Sequence, residues 1–137
     1  MHAVIDTNVL IYDTIEDSVF HDNARTILDS LSVWIIPSIV IYEYIWFFKG
    51  LKFNASEVKE LLDGRISDPR CRIVPDDGHY TQEALNILID TGLSLALFND
   101  MIILSVAKER RYPIITFDKK FQKRAKKFGL EVLPKEL

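Results

Sequence analysis

The feature that most constrains this chain is its opening, where the apolar run Ala3-Val4-Ile5 ends abruptly in Asp6-Thr7-Asn8. A short apolar segment without alternation predicts a strand covered on both faces, as strands in parallel sheets are. An acid placed directly after such a strand lies at the carboxyl edge of the sheet, where open α/β folds form their sites near the point of reversed strand order. Because Asp-Thr-Asn also favours turns, Asp6 taken alone is equally compatible with a structural cap.

The rest of the chain alternates apolar segments with helical patterns. Further strands are predicted at 33–36, 71–74 and 114–117, with a short edge strand at 131–133. Helices are predicted over about 18–31, 38–49, from 54 or 56 onward, and over 78–91, 99–111 and 119–128. This alternation predicts right-handed crossovers and a parallel sheet in an α/β sandwich. Without a repeat or a linker, we expect one domain over residues 1–137.

Composition excludes several other classes of protein. The chain is 48% apolar and 27% charged, which is ordinary for a soluble globular domain. The lone Cys71 excludes an intramolecular disulfide framework and a thiolate zinc site. The longest apolar run, residues 33–48, contains Pro37 and Glu43 and is too interrupted for a membrane span. With an acid already at position 6, no signal peptide is predicted, and we expect a cytoplasmic protein.

Three further acids stand where the surrounding pattern is apolar or neutral. Glu43 interrupts a helix that is apolar nearly all round, where an ionised carboxylate is costly unless a cation or donors compensate it. Asp100 falls in the first turn of a predicted helix, and Asp118 follows the predicted strand 114–117. Each also has a structural interpretation: Glu43 at a helix edge, Asp100 complementing a helix dipole, and Asp118 as an N-cap.

If the four acids converge, their chemistry predicts a metal site. Clustered carboxylates repel and raise one another's pKa, and hard divalent cations such as Mg²⁺ or Mn²⁺ resolve this with oxygen ligands. Zinc is disfavoured because the three histidines are scattered. One or two such ions activate water for in-line attack on a phosphodiester. The basic segment after Asp118, with Lys119, Lys120 and Lys123, would then hold a phosphate backbone, unless it is simply a solvated helix face.

These residues together resemble the PIN domain family. The resemblance rests on Asp6-Thr7-Asn8, on Glu43 in an apolar helix, on Asn99-Asp100 opening a helix and on Thr116-Phe117-Asp118, and it covers essentially the whole chain. It implies a three-layer α/β/α sandwich with a central five-stranded parallel sheet and a metal-dependent ribonuclease site. Its acidic ligands match Asp6, Glu43, Asp100 and Asp118, and its supporting polar positions match Asn8 and Thr116.

A PIN domain of this length is most similar to the toxin half of VapBC-type toxin–antitoxin pairs. That resemblance implies an antitoxin whose tail covers the acidic groove, and a homodimer. Independently, the helix over 38–49 carries more aromatic area than one face can bury, which favours an interface (Tyr42, Tyr44, Trp46, Phe47 and Phe48). A second apolar stretch is expected to belong mainly to the core (Leu93, Leu95, Leu97 and Phe98).

Other functions remain as alternatives. A PIN nuclease could process RNA outside a toxin–antitoxin pair. A haloacid-dehalogenase-like phosphatase also begins with a strand-end Asp, but it needs a second Asp where this chain has Asn8. A response-regulator receiver needs paired acids after the first strand, and Asp6 has no acidic neighbour. A degenerate scaffold that only binds RNA or protein would not require four costly acids together.

Overall fold

The structure, a computed structural model describing residues 1–137, is built on a single parallel sheet. Its strands run in the spatial order β3-β2-β1-β4-β5. They are β1 (His2–Ile5), β2 (Val33–Pro37), β3 (Cys71–Val74), β4 (Ile114–Ile115) and β5 (Val132–Leu133). The chain builds outward from β1 to β3 and then returns to the other side of β1. The strand order therefore reverses between β1 and β4, and the predicted parallel α/β/α sandwich with five strands is confirmed.

Seven helices surround the sheet. They are α1 (Thr7–Thr14), α2 (His21–Ser30), α3 (Ser38–Gly50), α4 (Ala55–Ile66), α5 (His79–Thr91), α6 (Phe98–Arg110) and α7 (Lys119–Lys127), with a 3₁₀ turn at Leu95–Leu97. None of them combines the length and the apolar character that crossing a bilayer would require.

Helix α1 was not predicted from the sequence, which indicated only a turn between β1 and the next helix. Asp6 is its N-cap, so the turn chemistry of Asp-Thr-Asn begins a helix here. The apolar residues of α1 are consecutive rather than spaced, and its buried residues include the polar Thr7 and Asp13. A helix that buries polar side chains has no clear amphipathic period, which explains the error.

The core lies on both faces of β1 and along α6. Ala3, Val4 and Ile5 are completely buried, as expected for the central strand of a covered parallel sheet. All residues from 101 to 107 are buried, so α6 is enclosed on every side. Because α6 begins at Phe98, its buried body fixes the position of Asp100 in the first turn at the edge of the sheet.

Some details of packing differ from the sequence prediction. On α5, Ile89 is 76% exposed, whereas Ile87 is buried. Leu95, expected in the core, is 68% exposed. Ser38, a residue type that favours N-cap positions, lies inside α3, and Pro37 occupies the cap position without a side-chain bond. The prediction that α3 carries more aromatic area than one face can bury is confirmed, since Tyr42, Trp46 and Phe47 reach solvent while Tyr44 and Phe48 are buried.

Candidate active site

The candidate site lies at the carboxyl ends of β1 and β4, the two strands that flank the reversal of strand order. Asp6 follows β1 directly, and its backbone N–H still donates to Ile115 O of β4 at 3.0 Å. Thr116 follows β4 and donates its backbone N–H to Leu133 O of β5 at 3.0 Å. The parallel register therefore places the side chains of Asp6 and Thr116 next to each other. This is the edge at which open α/β sheets form their sites.

Asp6 is buried and is held by neutral donors alone. Its Oδ2 accepts hydrogen bonds from Thr116 Oγ1 at 2.7 Å and from Asn8 Nδ2 at 3.2 Å. Its Oδ1 accepts the Thr7 backbone N–H at 2.7 Å, which is the N-cap bond of α1. The carboxylate is fixed in orientation, but none of its partners carries a charge.

Asn8 and Thr116 connect Asp6 to the segment that leads to Asp118. Asn8 Oδ1 accepts the Phe117 backbone N–H at 3.0 Å, while its Nδ2 lies 3.1 Å from Thr116 Oγ1. Thr116 Oγ1 also accepts the Asp118 backbone N–H at 3.1 Å. The sequence marked these two residues as supporting positions, and the structure brings both of them against Asp6.

Glu43 lies half-buried on α3 and is also held without a cation. Thr7 Oγ1 donates to Glu43 Oε1 at 2.6 Å, and Asn99 Nδ2 donates to Oε2 at 3.3 Å. None of the ion pairs in the protein involves Glu43 or any of the other three acids. Both oxygens of Glu43 are therefore hydrogen-bonded to neutral side chains from α1 and α6.

The charges of the four acids act on one another through Asp6 and Asp100. Burial, with contributions from the negative charges of Asp100 and Glu43, raises the pKa of Asp6 to about 7, against the opposing hydrogen bonds from Thr116 and Thr7. Burial, followed by the charges of Asp118 and Glu43, raises the pKa of Asp100 to about 6. Asp6, Glu43 and Asp100 therefore each interact with at least two other acids, and Asp118 interacts with Asp100.

Asp118 has the structural role that its sequence position also allowed. Its Oδ1 accepts the backbone N–H groups of Lys120 at 2.9 Å and Phe121 at 3.2 Å, which makes it the N-cap of α7. The same residue is exposed and acts electrostatically on Asp100. The cap and the place in the acidic pocket are therefore compatible.

The chemistry of these donors fits a partly hydrated hard cation. The four acids offer only oxygen ligands, Asp6 and Asp100 have raised pKa values, and none of the four forms an ion pair with a basic side chain. However, no three side chains among the acids, histidines and cysteine are gathered into a closed ligand set. Mg²⁺ needs no such set, because it binds through one or two carboxylates and keeps several waters. The site therefore fits Mg²⁺ or Mn²⁺ far better than zinc.

Helix α7 begins directly after the Asp118 cap and carries a run of basic residues. Lys119, Lys120 and Lys123 are exposed, while Phe121 and Ala125 face the core. The positive charge of Arg124, on the same helix, lowers the pKa of Asp100 against the larger raising effects. The basic residues therefore lie on the solvent side of a helix that is firmly packed.

Sequence reasoning missed Thr7 and Asn99 as contacts of Glu43, and Gln122 as an anchor. Gln122 is buried and donates from Nε2 to Thr116 O at 2.9 Å and to Pro134 O at 3.0 Å. Thr7 and Asn99 each stand next to one of the acids in the chain, and this position was the only sequence feature that could have indicated their contact with Glu43. Gln122 had only one signal, a polar residue on the apolar side of a basic helix.

The fold and the site together define a class: a parallel α/β/α domain with a carboxylate pocket at the reversal of strand order. The family model of the PIN domain matches residues 3–127. The chain therefore belongs to the PIN domain family. No curated protein matches it in sequence.

Solved structures with the same fold include toxins of toxin–antitoxin pairs. VapC20 of Mycobacterium tuberculosis, described as a sarcin-ricin loop cleaving toxin, is 16% identical with a TM-score of 0.74, over 89% of this chain and 94% of that one. VapBC2 from Rickettsia felis, bound to a DNA fragment from its promoter, is 24% identical with a TM-score of 0.67. The match covers 96% of this chain and 97% of that one. The PIN domain endonuclease Utp24 is 18% identical with a TM-score of 0.55, and the match covers 96% of this chain and 82% of that one.

Proposed function

We propose that this protein is a metal-dependent endoribonuclease that hydrolyses RNA phosphodiester bonds. The observation that supports the proposal is that Asp6, Glu43, Asp100 and Asp118 interact through their charges near the carboxyl edge of a PIN fold and that none of them forms an ion pair. Such a pocket is costly unless a cation enters it. These four residues would hold Mg²⁺ or Mn²⁺, which when bound activates water and stabilises the leaving oxygen of a phosphodiester.

The residues around the acids have distinct tasks in this proposal. Thr116 and Asn8 hold Asp6 in one orientation through the bonds to its Oδ2. The exposed Lys119, Lys120 and Lys123 bind the phosphate backbone of RNA beside the pocket, where each neutralised phosphate releases counterions. Phosphate contacts of this kind place the substrate without reading its sequence, so cleavage specificity must come from other contacts.

Metal binding is the first test, because it does not depend on finding the right RNA. Calorimetric titration with Mn²⁺ should give binding to the wild-type protein and a large loss in Asp6→Asn. Asp17→Asn provides a matched control, since Asp17 is exposed and lies outside the pocket. A wild-type protein that binds no Mn²⁺ would contradict the proposal, and so would equal binding by wild type and Asp6→Asn.

We further propose that the protein is the toxin of a type II toxin–antitoxin pair, acting in the cytoplasm as a homodimer with an antitoxin partner. The similarity to VapC20, VapBC2 and FitAcB from Neisseria gonorrhoeae supports this assignment. The surface provides further support. The exposed Tyr42, Trp46 and Phe47 lie on α3, next to a mainly apolar groove of about 410 Å³ between α3 and α4. Exposed aromatic area of this kind is typical of protein interfaces.

The alternative within the same class is a PIN nuclease that processes RNA without an antitoxin, which the similarity to Utp24 supports. The two are separated by co-expressing the protein with the product of the neighbouring reading frame. A toxin should form a stable complex with that product, measured by light scattering on a sizing column, and should lose its RNA cleavage in the complex. Cleavage that persists, with no complex formed, would favour the processing enzyme.

A further inference from the structure

The two bonds to Glu43 come from residues that adjoin other acids of the pocket. Thr7 directly follows Asp6 in the chain, and Asn99 directly precedes Asp100. Each donates to a different oxygen of Glu43, Thr7 at 2.6 Å and Asn99 at 3.3 Å. The Glu43 carboxylate therefore connects α3 with the first turns of α1 and α6, the two helices whose first turns adjoin Asp6 and Asp100.

Thr7 contacts two of the acids at once. Its backbone N–H donates to Asp6 Oδ1 at 2.7 Å, while its hydroxyl donates to Glu43 Oε1. The side chain is only 8% exposed, and a β-branched residue has few χ1 rotamers in a helix. The hydroxyl is therefore held facing Glu43 and fixes the relative placement of the two carboxylates.

Without these donors, the Glu43 side chain is expected to turn away from the other acids. It is a long side chain on a half-buried position, and the neighbouring acids repel it. No basic residue pairs with it. The neutral donors compensate part of the desolvation of the carboxylate without cancelling its charge, so its attraction for an external cation is retained.

We propose that Thr7 and Asn99 are positioning residues that hold Glu43 toward Asp6 and Asp100, so that the pocket is arranged for a divalent cation before the ion binds. This inference rests on the proposed nuclease function. Groups around metal ligands typically change metal affinity by about 10- to 100-fold when they are removed. The shorter bond from the more buried Thr7 is expected to have the larger effect.

The test is Mn²⁺ affinity, measured by calorimetry on folded protein. Thr7→Val removes the hydroxyl and keeps the side-chain shape, and it should weaken binding roughly tenfold. Thr7→Ser restores a hydroxyl and should recover most of the affinity. Asn99→Ala should weaken binding less than Thr7→Val does, because its bond to Glu43 is longer. Thr14→Val is the matched control, because Thr14 Oγ1 on the same helix bonds to Leu10 O, Tyr44 and Arg65 and touches none of the four acids.

A double-mutant cycle separates positioning from a general loss of structure. If Thr7 acts through Glu43, adding Thr7→Val to a Glu43→Gln background should cause no further loss of Mn²⁺ affinity. Additive losses would overturn the inference, as would an effect in Thr14→Val equal to that in Thr7→Val. Normal Mn²⁺ binding by wild type, Thr7→Val and Asn99→Ala alike would overturn only this inference. A wild-type protein without Mn²⁺ binding would overturn the proposed function and this inference together.

Discussion

Helix α1 carries a buried carboxylate near each of its ends, and the protein treats the two in opposite ways. Asp13, in the last turn, is 3% exposed and lies between two arginines. Arg25 Nε of α2 is 2.9 Å from its Oδ1, and Arg65 Nη2 of α4 is 2.5 Å from its Oδ2. Asp6, the N-cap, is 6% exposed and has only neutral partners, with other acids nearby.

The difference shows where the chain itself supplies the compensating charge. A buried carboxylate without compensation is costly, and one with a basic partner serves structure. At Asp13 the compensation comes from α2 and α4, and Arg65 also donates to Leu10 O and Thr14 Oγ1, which fixes α4 against α1. Asp6 lies at the other end of the same eight-residue helix, and no basic residue forms an ion pair with it. A charge left open inside a well-packed fold is expected to be compensated from outside.

The largest effect is expected from removing the charge of one of the acids that have no basic partner. Asp100→Asn should lower RNA cleavage by at least roughly 10,000-fold, as losing one member of a catalytic unit does. The fold should survive, because Asp100 makes no ion pair. Single-turnover cleavage assays and thermal unfolding measure the two properties. Cleavage that persists in a folded Asp100→Asn protein would remove Asp100 from the active site.

Removing an arginine partner of Asp13 should lower stability rather than activity. Arg65→Met leaves Asp13 buried with one arginine, and we expect a loss of roughly 3–5 kcal/mol in the free energy of unfolding. The measurement is urea unfolding at constant pH. Asp13→Asn combined with Arg65→Met should recover part of the loss, because the uncompensated charge is then absent. If Arg65→Met were as stable as wild type, Asp13 would not depend on this pair.

The pH dependence of stability distinguishes the two ends of α1 directly. The pKa of Asp6 in the folded protein, about 7, is above the ordinary 3.8, so the folded state binds a proton more tightly than the unfolded state. This stabilising contribution is fully present below about pH 4, is lost as the pH rises through about 7, and amounts to roughly 4 kcal/mol at most.

Asp6→Asn isolates this effect, because the variant has no proton to lose at that position. In metal-free buffer, the stability of Asp6→Asn relative to wild type should rise between pH 4 and pH 8, as measured by urea unfolding. Saturating Mn²⁺ should reduce the difference at pH 8, since the ion compensates the charge only in the wild-type protein. A difference that does not change with pH would mean that Asp6 is ionised as readily in the folded protein as in water.

The smallest effect concerns the basic face of α7. Changing Lys119, Lys120 and Lys123 together to Gln should weaken RNA binding and lower the slope of log K against log salt by about 2, at about 0.7 per lost phosphate contact. The control is the same triple change at Lys49, Lys52 and Lys59, which are exposed on and around α3 and α4 and carry the same total charge. Equal effects from both triples would reduce the role of α7 to net charge alone.

Much of this protein could be predicted from local patterns. Apolar runs and caps predicted the strands and most helices, because a strand or helix that must bury one side repeats its apolar residues at a fixed period. The positions of Asp6, Glu43, Asp100 and Asp118 were conspicuous for the same reason, since an acid in an apolar context violates its local pattern. Helix α1 could not be predicted in this way, because it buries the polar residues Thr7 and Asp13, whose partners are distant in sequence.

The sequence by itself determined the α/β class and made the four acids stand out from their apolar or neutral surroundings, since both follow from neighbours a few residues apart. Only the tertiary structure decided how charge is distributed among them. The bond from Thr7 to Glu43 spans 36 residues, that from Asn99 to Glu43 spans 56, and that from Thr116 to Asp6 spans 110. Contacts of such separation depend on strand order and helix packing, which leave no periodic signal in the chain. For that reason the sequence alone could not distinguish the arginine-paired Asp13 from the unpaired Asp6.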